Sequence, residues 1–355
     1  MTALRTGRSP GRRRLLGVGA TLAGLALLAG CAGSGEPGKP VLTTVGYGGA
    51  VDEASFEAIG QPFAEAFDVE VRPDAPLDYS KIKAQVESGK VSWDVVKVEP
   101  YWAIQNCGTY LEKIDQSLIE TLGELPAEGI TECGIPLDTF GFVMLYDHDA
   151  YPTAPTSWTD FFDVAKFPGK RAIWNFPTGM ALEAALLADG VPVDSLYPLD
   201  VDRALAKLDS IRDDLVFYDT GAIQSEQIES GEVEMSIAWS ARAVDNVKNG
   251  APFSPVWKDH FLLYDTLSIV KGSSQVELAH QYLSFATSVE QQVAFAERMP
   301  YAPANANAKP ALDDVQSQFD LASPEIAPQG IVIDQQWWAE NFDAVSEIWT
   351  KWSVG

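Results

Sequence analysis

The sequence predicts an α/β fold of two lobes with mostly parallel sheets. Near-continuous apolar runs such as 93–98 read as strands buried on both faces. Segments with apolar residues at helical spacing separate these runs, and the strand–helix alternation occurs twice over. The chain of 355 residues is also long enough to divide into two lobes. Several strands end in Gly-rich or polar turns, which could converge on one cleft between the lobes.

Residues 41–51, VLTTVGYGGAV, read as a first strand ending in the turn Gly46-Tyr47-Gly48-Gly49. The turn lacks the Lys-Ser/Thr ending of a phosphate loop. Its glycines instead permit close backbone approach, and Tyr47 offers an aromatic face. Asp52 is expected to cap a helix that continues to residue 67. A second strand at 69–72 precedes a helix at 79–88, stopped by Gly89. The strand at 93–98 ends at Glu99-Pro100-Tyr101-Trp102. Beyond Cys133, strands are expected at 139–146, 170–174 and 215–218, and helices at 157–162, 180–188 and 201–212. In the last of these, Val201, Leu205, Leu208 and Ile211 keep helical spacing.

The stretch 234–250, EMSIAWSARAVDNVKNG, is the most informative. It reads as a buried strand ended by Trp239, then Ser240 as a cap, then a helix carrying Ala241, Val244 and Val247 and stopped at Gly250. Ligands of open α/β sheets bind outside the carboxyl ends of strands, against helix N-termini. Trp239 and Arg242 fall at such a place. A cation in a helix's first turn opposes the macrodipole, and local rules are broken most often at functional sites. An anion held between the Arg242 guanidinium and the helix N-terminus would remove the conflict; the alternative is an Arg turned to solvent. Strands at 252–257 and 261–270, helices at 276–287 and 289–298, and an amphipathic helix over 337–352 complete the chain. Several of Trp337, Trp338, Trp349 and Trp352 share a face of that last helix, and such stripes are more often core packing than a ligand wall.

Residues 1–30 hold five arginines and no acid, followed by an apolar run and Leu28-Ala29-Gly30-Cys31. That is the order of a signal peptide, with an apolar run too short for a membrane span. The tetrad resembles a lipobox, so Cys31 is the expected lipidated residue after cleavage. Arg13 with its neighbours also fits a twin-arginine export signal, which leaves the export route open. Residues 31–40 read as a Gly/Pro/Ser tether. The body is expected outside the cytoplasm, lipid-anchored at the periplasmic face or the cell surface.

The net charge of −25 argues against nucleic acid or anionic lipid as partner. An anionic ligand group would need local basic residues. Cys107 and Cys133 remain beyond the leader, and an even pair in an exported protein reads first as a disulfide, with two free buried thiols as the alternative. No histidine stands at ligand spacing beside either cysteine, so no metal is expected there. A secreted hydrolase is the rival class, but Gly-x-Ser-x-Gly and His-Glu-x-x-His are absent and the chain has only three histidines. His280 lies on a helix face, and Asp147-His148-Asp149 offers one histidine between two carboxylates, a weak metal pattern. No cofactor motif is present.

The lipobox, WDVVKVEPYW, CGTYLEKID, PTSWTDFFDVAKFPGKRAIW, SGEVEMSIAW and RMPYAPANANAK are similar to the spermidine/putrescine receptor type of ABC-transporter solute-binding protein. The resemblance covers about 41–352. It implies a type II periplasmic-binding-protein fold that closes on its ligand at a hinge. Lobe one would comprise 41–138 plus 266–305, and lobe two 139–265 plus 306–355. It also implies a monomer that docks on membrane permease subunits. In that family an aromatic box and acids hold a polyamine. Trp239 matches a box aromatic, Asp265 an acid that grips an ammonium, and Tyr301 an aromatic in the Tyr-x-Pro-x-Asn-like turn. Tyr47 and Tyr101 fall near other cleft positions, and Trp338 aligns with the cleft side of the C-terminal helix.

Two departures matter. The turn Asn175-Phe176-Pro177-Thr178-Gly179 lacks the acids that polyamine receptors carry there, and Arg242 would repel a dication. Asp265 lies in an apolar strand, where a carboxylate is costly unless paired. Arg242 and Asp265 in one site fit a ligand negative at one end and positive at the other, such as 4-aminobutyrate. A polyamine is the alternative ligand, and a mutual Arg242–Asp265 ion pair is the alternative explanation of the two charges. Glu99 is a second ammonium contact or a salt-bridged loop acid.

Overall fold

Residues 38–121 and 125–355 are described by a computed structural model. The leader and Cys31 lie outside them, and so does most of the tether. Among the described residues ten strands join one sheet: β1 (Val41–Val45), β2 (Glu70–Asp74), β3 (Val95–Val98), β4 (Ile135–Asp147), β5 (Arg171–Trp174), β6 (Leu215–Tyr218), β7 (Met235–Trp239), β8 (Phe253–Ile269), β9 (Ala302–Pro303) and β10 (Ile331–Val332). Their order is β2-β1-β3-β8-β4-β7-β5-β6, with β10 beside β8 and β9 beside β4. Pairing is parallel on the two flanks, β2-β1-β3 and β7-β5-β6, where helical crossovers return the chain. It is antiparallel through the middle, where the long strands β4 and β8 run against each other and against β7 and β3. The sheet is therefore mixed, and it continues from one flank to the other through β4 and β8.

The local chemistry explains most boundaries. The helix Tyr79–Ser88 starts where the Asp78 carboxylate accepts from the Ser80 and Lys81 N–H groups, and stops at Gly89 in the left-handed conformation, φ 64°. β3 is buried at all four positions, as its apolar run requires.

Several expectations need correction. Asp52 does not cap its helix. The helix begins at Ala50 behind Gly49, and the Asp52 carboxylate turns back to accept from Gly48 N–H at 2.6 Å. Ser240 does not cap either, because its hydroxyl accepts from the Gly141 N–H of β4 at 3.0 Å. The strands expected at 252–257 and 261–270 are one strand, β8. Its register against β4 slips between Val256 and Phe261, and Asp259 at φ 59° absorbs the extra residues as a bulge.

One apolar cluster centres on Leu42, Phe63, Val71, Val95, Leu137, Leu267 and Tyr282, and a second on Val143, Ala172, Tyr218, Val244 and Phe319. The largest runs from Val98 and Trp102 through Trp158 and Met180 to Trp338 and Trp349. Cys107 and Cys133 form a disulfide, with Cα atoms 5.4 Å apart and 26 residues between them in sequence. It ties the end of the helix Pro100–Asn106 to the approach of β4.

Candidate functional site

The ends of the parallel strands meet at one cavity of about 330 Å³. β1 delivers Tyr47 and Gly48, and β3 delivers Glu99, Pro100 and Tyr101. β5 ends at Trp174 and its turn adds Thr178. β6 leads to Gly221, and β7 to Trp239 and Arg242. The central pair adds Phe140 and Phe142 from β4 and Leu263, Tyr264 and Asp265 from β8. Tyr301 enters just before β9, and Ile333 and Gln335 just after β10. Carboxyl ends of parallel strands gather on one edge of a doubly wound sheet, so the topology itself assembles this wall.

One side of the cavity is aromatic. The Trp239 ring lies 4.8 Å from Trp174, 5.5 Å from Phe142 and 5.4 Å from Tyr218, centre to centre. Phe140 and Tyr301 stand edge to face at 6.3 Å. Such a surface takes the methylenes of a short chain and offers ring faces to a cation.

Arg242 is exposed and has no carboxylate within ion-pair distance among the described residues. It stands in the first turn of the helix Ser240–Lys248. Gly221 makes room for it, since a Cβ there would come within 2.8 Å of Arg242 Nε. Arg242 also draws on Tyr301, whose phenol burial holds well above its usual range.

The acids gather with β3 and β8. Asp265 is buried, and its Oδ2 pairs with Lys97 Nζ at 2.7 Å. Lys97, on β3, also meets Asp138 Oδ2 of β4 at 3.0 Å, and all three side chains are nearly or wholly buried. Asp138 and Asp265 face each other across the β4–β8 ladder. Burial alone would drive Lys97 toward the neutral amine, but the two carboxylates outweigh it and keep it charged. Burial and the neighbouring Asp265 push Asp138 up. Burial also raises Glu99, to about 7, against its hydrogen bonds. The Tyr79 hydroxyl donates to Glu99 Oε2.

Of the residues singled out in the sequence, Tyr47, Glu99, Tyr101, Trp239, Arg242, Asp265 and Tyr301 all line this cavity. Arg242 and Asp265 are not an ion pair, because Lys97 is the partner that Asp265 requires. Trp338 does not reach the cavity. It is wholly buried on the inner face of the helix Gln335–Ser353, and its Nε1–H donates to Glu183 Oε1 at 3.0 Å. The aromatic stripe on that helix places it in the core. Asp147, His148 and Asp149 likewise form no cluster: His148 Nδ1 meets Ser254 Oγ at 3.0 Å and Asp147 caps its own turn. Among the described residues no group of three or more histidine, cysteine or carboxylate side chains could hold a metal ion.

Lys97, Asp138 and Gln335 went unnoticed in the sequence. Gln335 is 6% exposed, lines the cavity, and leaves both amide atoms without a partner in the protein. A buried amide with nothing to bond is costly, so it stands ready for a ligand or water. The one signal for Lys97 was a lysine inside a buried strand, which demands a carboxylate.

A mixed α/β sheet of this order, with a polar and aromatic cavity at its strand ends, defines a binding protein of two lobes. The chain belongs to the bacterial extracellular solute-binding protein family, whose model matches residues 58–323. The fold is the two-lobed α/β fold of periplasmic binding proteins. A gamma-aminobutyric acid-binding protein of Pseudomonas aeruginosa is 30% identical over 320 residues, covering 88% of this chain and 91% of that protein. A solved GABA receptor is 33% identical with a TM-score of 0.81, over 88% of this chain and 97% of its own. An ABC transporter substrate-binding protein from Bradyrhizobium japonicum USDA 110 is 32% identical with a TM-score of 0.82, over 88% and 99%. Among the described residues no helix is long and apolar enough to cross a membrane.

Proposed function

We propose that this protein captures a small ω-amino acid, with 4-aminobutyrate as the favoured ligand, and delivers it to an ABC permease in the membrane. The observation that carries the reading is one cavity walled by a free guanidinium, Arg242, and by the carboxylates Glu99 and Asp265, with aromatic rings between. Arg242 would take the ligand carboxylate by paired N–H···O bonds, helped by the helix N-terminus behind it. The acids would take the ammonium. Two relatives, one named a gamma-aminobutyric acid-binding protein and one a GABA receptor, support the same ligand.

A polyamine fits less well. Arg242 stands in the cavity and repels a second ammonium. The lobes proposed for closure are 41–138 plus 266–305 and 139–265 plus 306–355. In support, one apolar cluster falls wholly within the first set and another wholly within the second. Ligand binding would bias the equilibrium toward a closed form that docks on the permease. A signal peptide would direct export, and after its removal a lipid on Cys31 would hold the protein, as a monomer, at the outer face of the membrane.

Calorimetric titration of the purified protein with 4-aminobutyrate and with putrescine tests the ligand. Dissociation constants on the order of micromolar for 4-aminobutyrate, and far weaker binding of putrescine, are expected. Tighter binding of putrescine would overturn the zwitterion reading.

A further inference from the structure

The amine end of the cavity contains an imbalance that the ligand reading does not use. Lys97 has one ammonium and two carboxylate partners, Asp265 at 2.7 Å and Asp138 at 3.0 Å. Asp265 borders the cavity, whereas Asp138 does not and is 0% exposed. Their cross-strand register sets the two acids opposite each other on β4 and β8, and Lys97 reaches both from β3. The Lys97 ammonium further sits 5.3 Å from the ring of Tyr301, which also borders the cavity.

We propose that Asp138 sets the affinity for the ligand's ammonium from outside the cavity, by competing with Asp265 for the single charge of Lys97. With both acids ionised, which burial and Asp265 delay for Asp138 until about pH 8, the triad carries one more carboxylate than ammonium, and the surplus faces the ligand through Asp265. With Asp138 neutral, Lys97 would satisfy Asp265 completely, and a ligand ammonium would find an already neutral ion pair. Asp138 is thus a positioning and selectivity residue that touches no ligand atom. The inference rests on the ammonium-binding role proposed for Asp265.

The near-isosteric variant Asp138→Asn tests it. Titrations compare 4-aminobutyrate with pentanoate, which replaces the ammonium by a methyl group at the same length. At about pH 9, where Asp138 is ionised, the variant should bind 4-aminobutyrate on the order of tenfold more weakly or worse, and prefer it over pentanoate by less than the parent does. Its melting temperature should hold or rise, since a surplus buried charge is gone. The double variant Asp138→Asn/Lys97→Met leaves Asp265 alone and should recover the preference for the amine. Equal loss of both ligands, a loss of binding together with a fall in melting temperature, or no recovery in the double variant would overturn the proposal. Putrescine serves as a second amine probe. If the parent protein binds putrescine and not 4-aminobutyrate, the zwitterion reading fails, while weaker putrescine binding by Asp138→Asn would still support the role of Asp138.

Discussion

Replacing Arg242 by Ala separates a binding role from a structural one, because the two move in opposite directions. In the unliganded protein the guanidinium gains little. It is exposed, it has no ion-pair partner among the described residues, and it opposes the dipole of its own helix. That opposition costs about 0.3–1 kcal/mol at low ionic strength. The attraction of Asp245, one turn further along the same helix, returns about 0.2–0.5 kcal/mol. The two nearly cancel, so Arg242→Ala should shift the melting temperature of the free protein by less than about 2 °C. Binding is different. Truncating one partner of a hydrogen-bonded charge pair costs about 2–5 kcal/mol, and the exposure of Arg242 places it toward the lower figure. A loss of about 30-fold in 4-aminobutyrate affinity follows. Calorimetry for the affinity and scanning calorimetry for the free protein measure the two quantities. Affinity within threefold of the parent, or a free protein that melts many degrees lower, would refute the assignment of Arg242 to the ligand carboxylate.

Gln335→Leu removes a cavity amide that has no protein partner, so it should leave the free protein as stable or more so while weakening 4-aminobutyrate by about 1–3 kcal/mol in a titration. Glu183 is wholly buried, and burial raises its pKa from 4.5 to about 7, against the hydrogen bonds from Tyr197 and Trp338. The folded protein therefore holds a proton that the unfolded chain releases near 4.5, and this group's stabilisation is full below that pH and is lost as pH rises toward 7. Glu183→Gln, neutral at every pH, should raise the melting temperature at pH 8 relative to the parent and match it at pH 4, with a difference on the order of 3 kcal/mol. Replacing both Cys107 and Cys133 by Ser opens a loop of 26 residues, for which the chain-entropy model gives a loss of about 3.5 kcal/mol. Denaturant titration would read it as a lower midpoint, with little change in ligand affinity.

The alternation of apolar runs and helical segments placed most of the strands, because a doubly wound sheet writes each layer as a separate local pattern. The same logic located the candidate cavity: Glu99 follows β3, Trp239 ends β7 and Arg242 stands in the helix after it, and strand ends are visible in the sequence. What stayed hidden depended on register. Nothing local says that Lys97, Asp138 and Asp265, on β3, β4 and β8, are neighbours. The lone carboxylate in an apolar strand announced that a partner existed, yet only the fold names it. Gln335 at a helix start looks like an ordinary polar surface residue until β10 carries the chain down beside the cavity. Trp338 misled for the opposite reason, since helical spacing reveals which residues share a face but not which neighbour that face meets. β8 was divided at Lys258-Asp259-His260 because a polar interruption usually ends a strand, whereas here a bulge lets it continue.

The contact between the Trp174 and Trp239 indoles has a practical consequence. Two rings 4.8 Å apart and inclined by 58° have coupled electronic transitions, and both border the space a ligand enters. A solute that nudges either ring alters that coupling, so the protein carries an optical reporter of its own occupancy, readable by circular dichroism or emission without any attached dye.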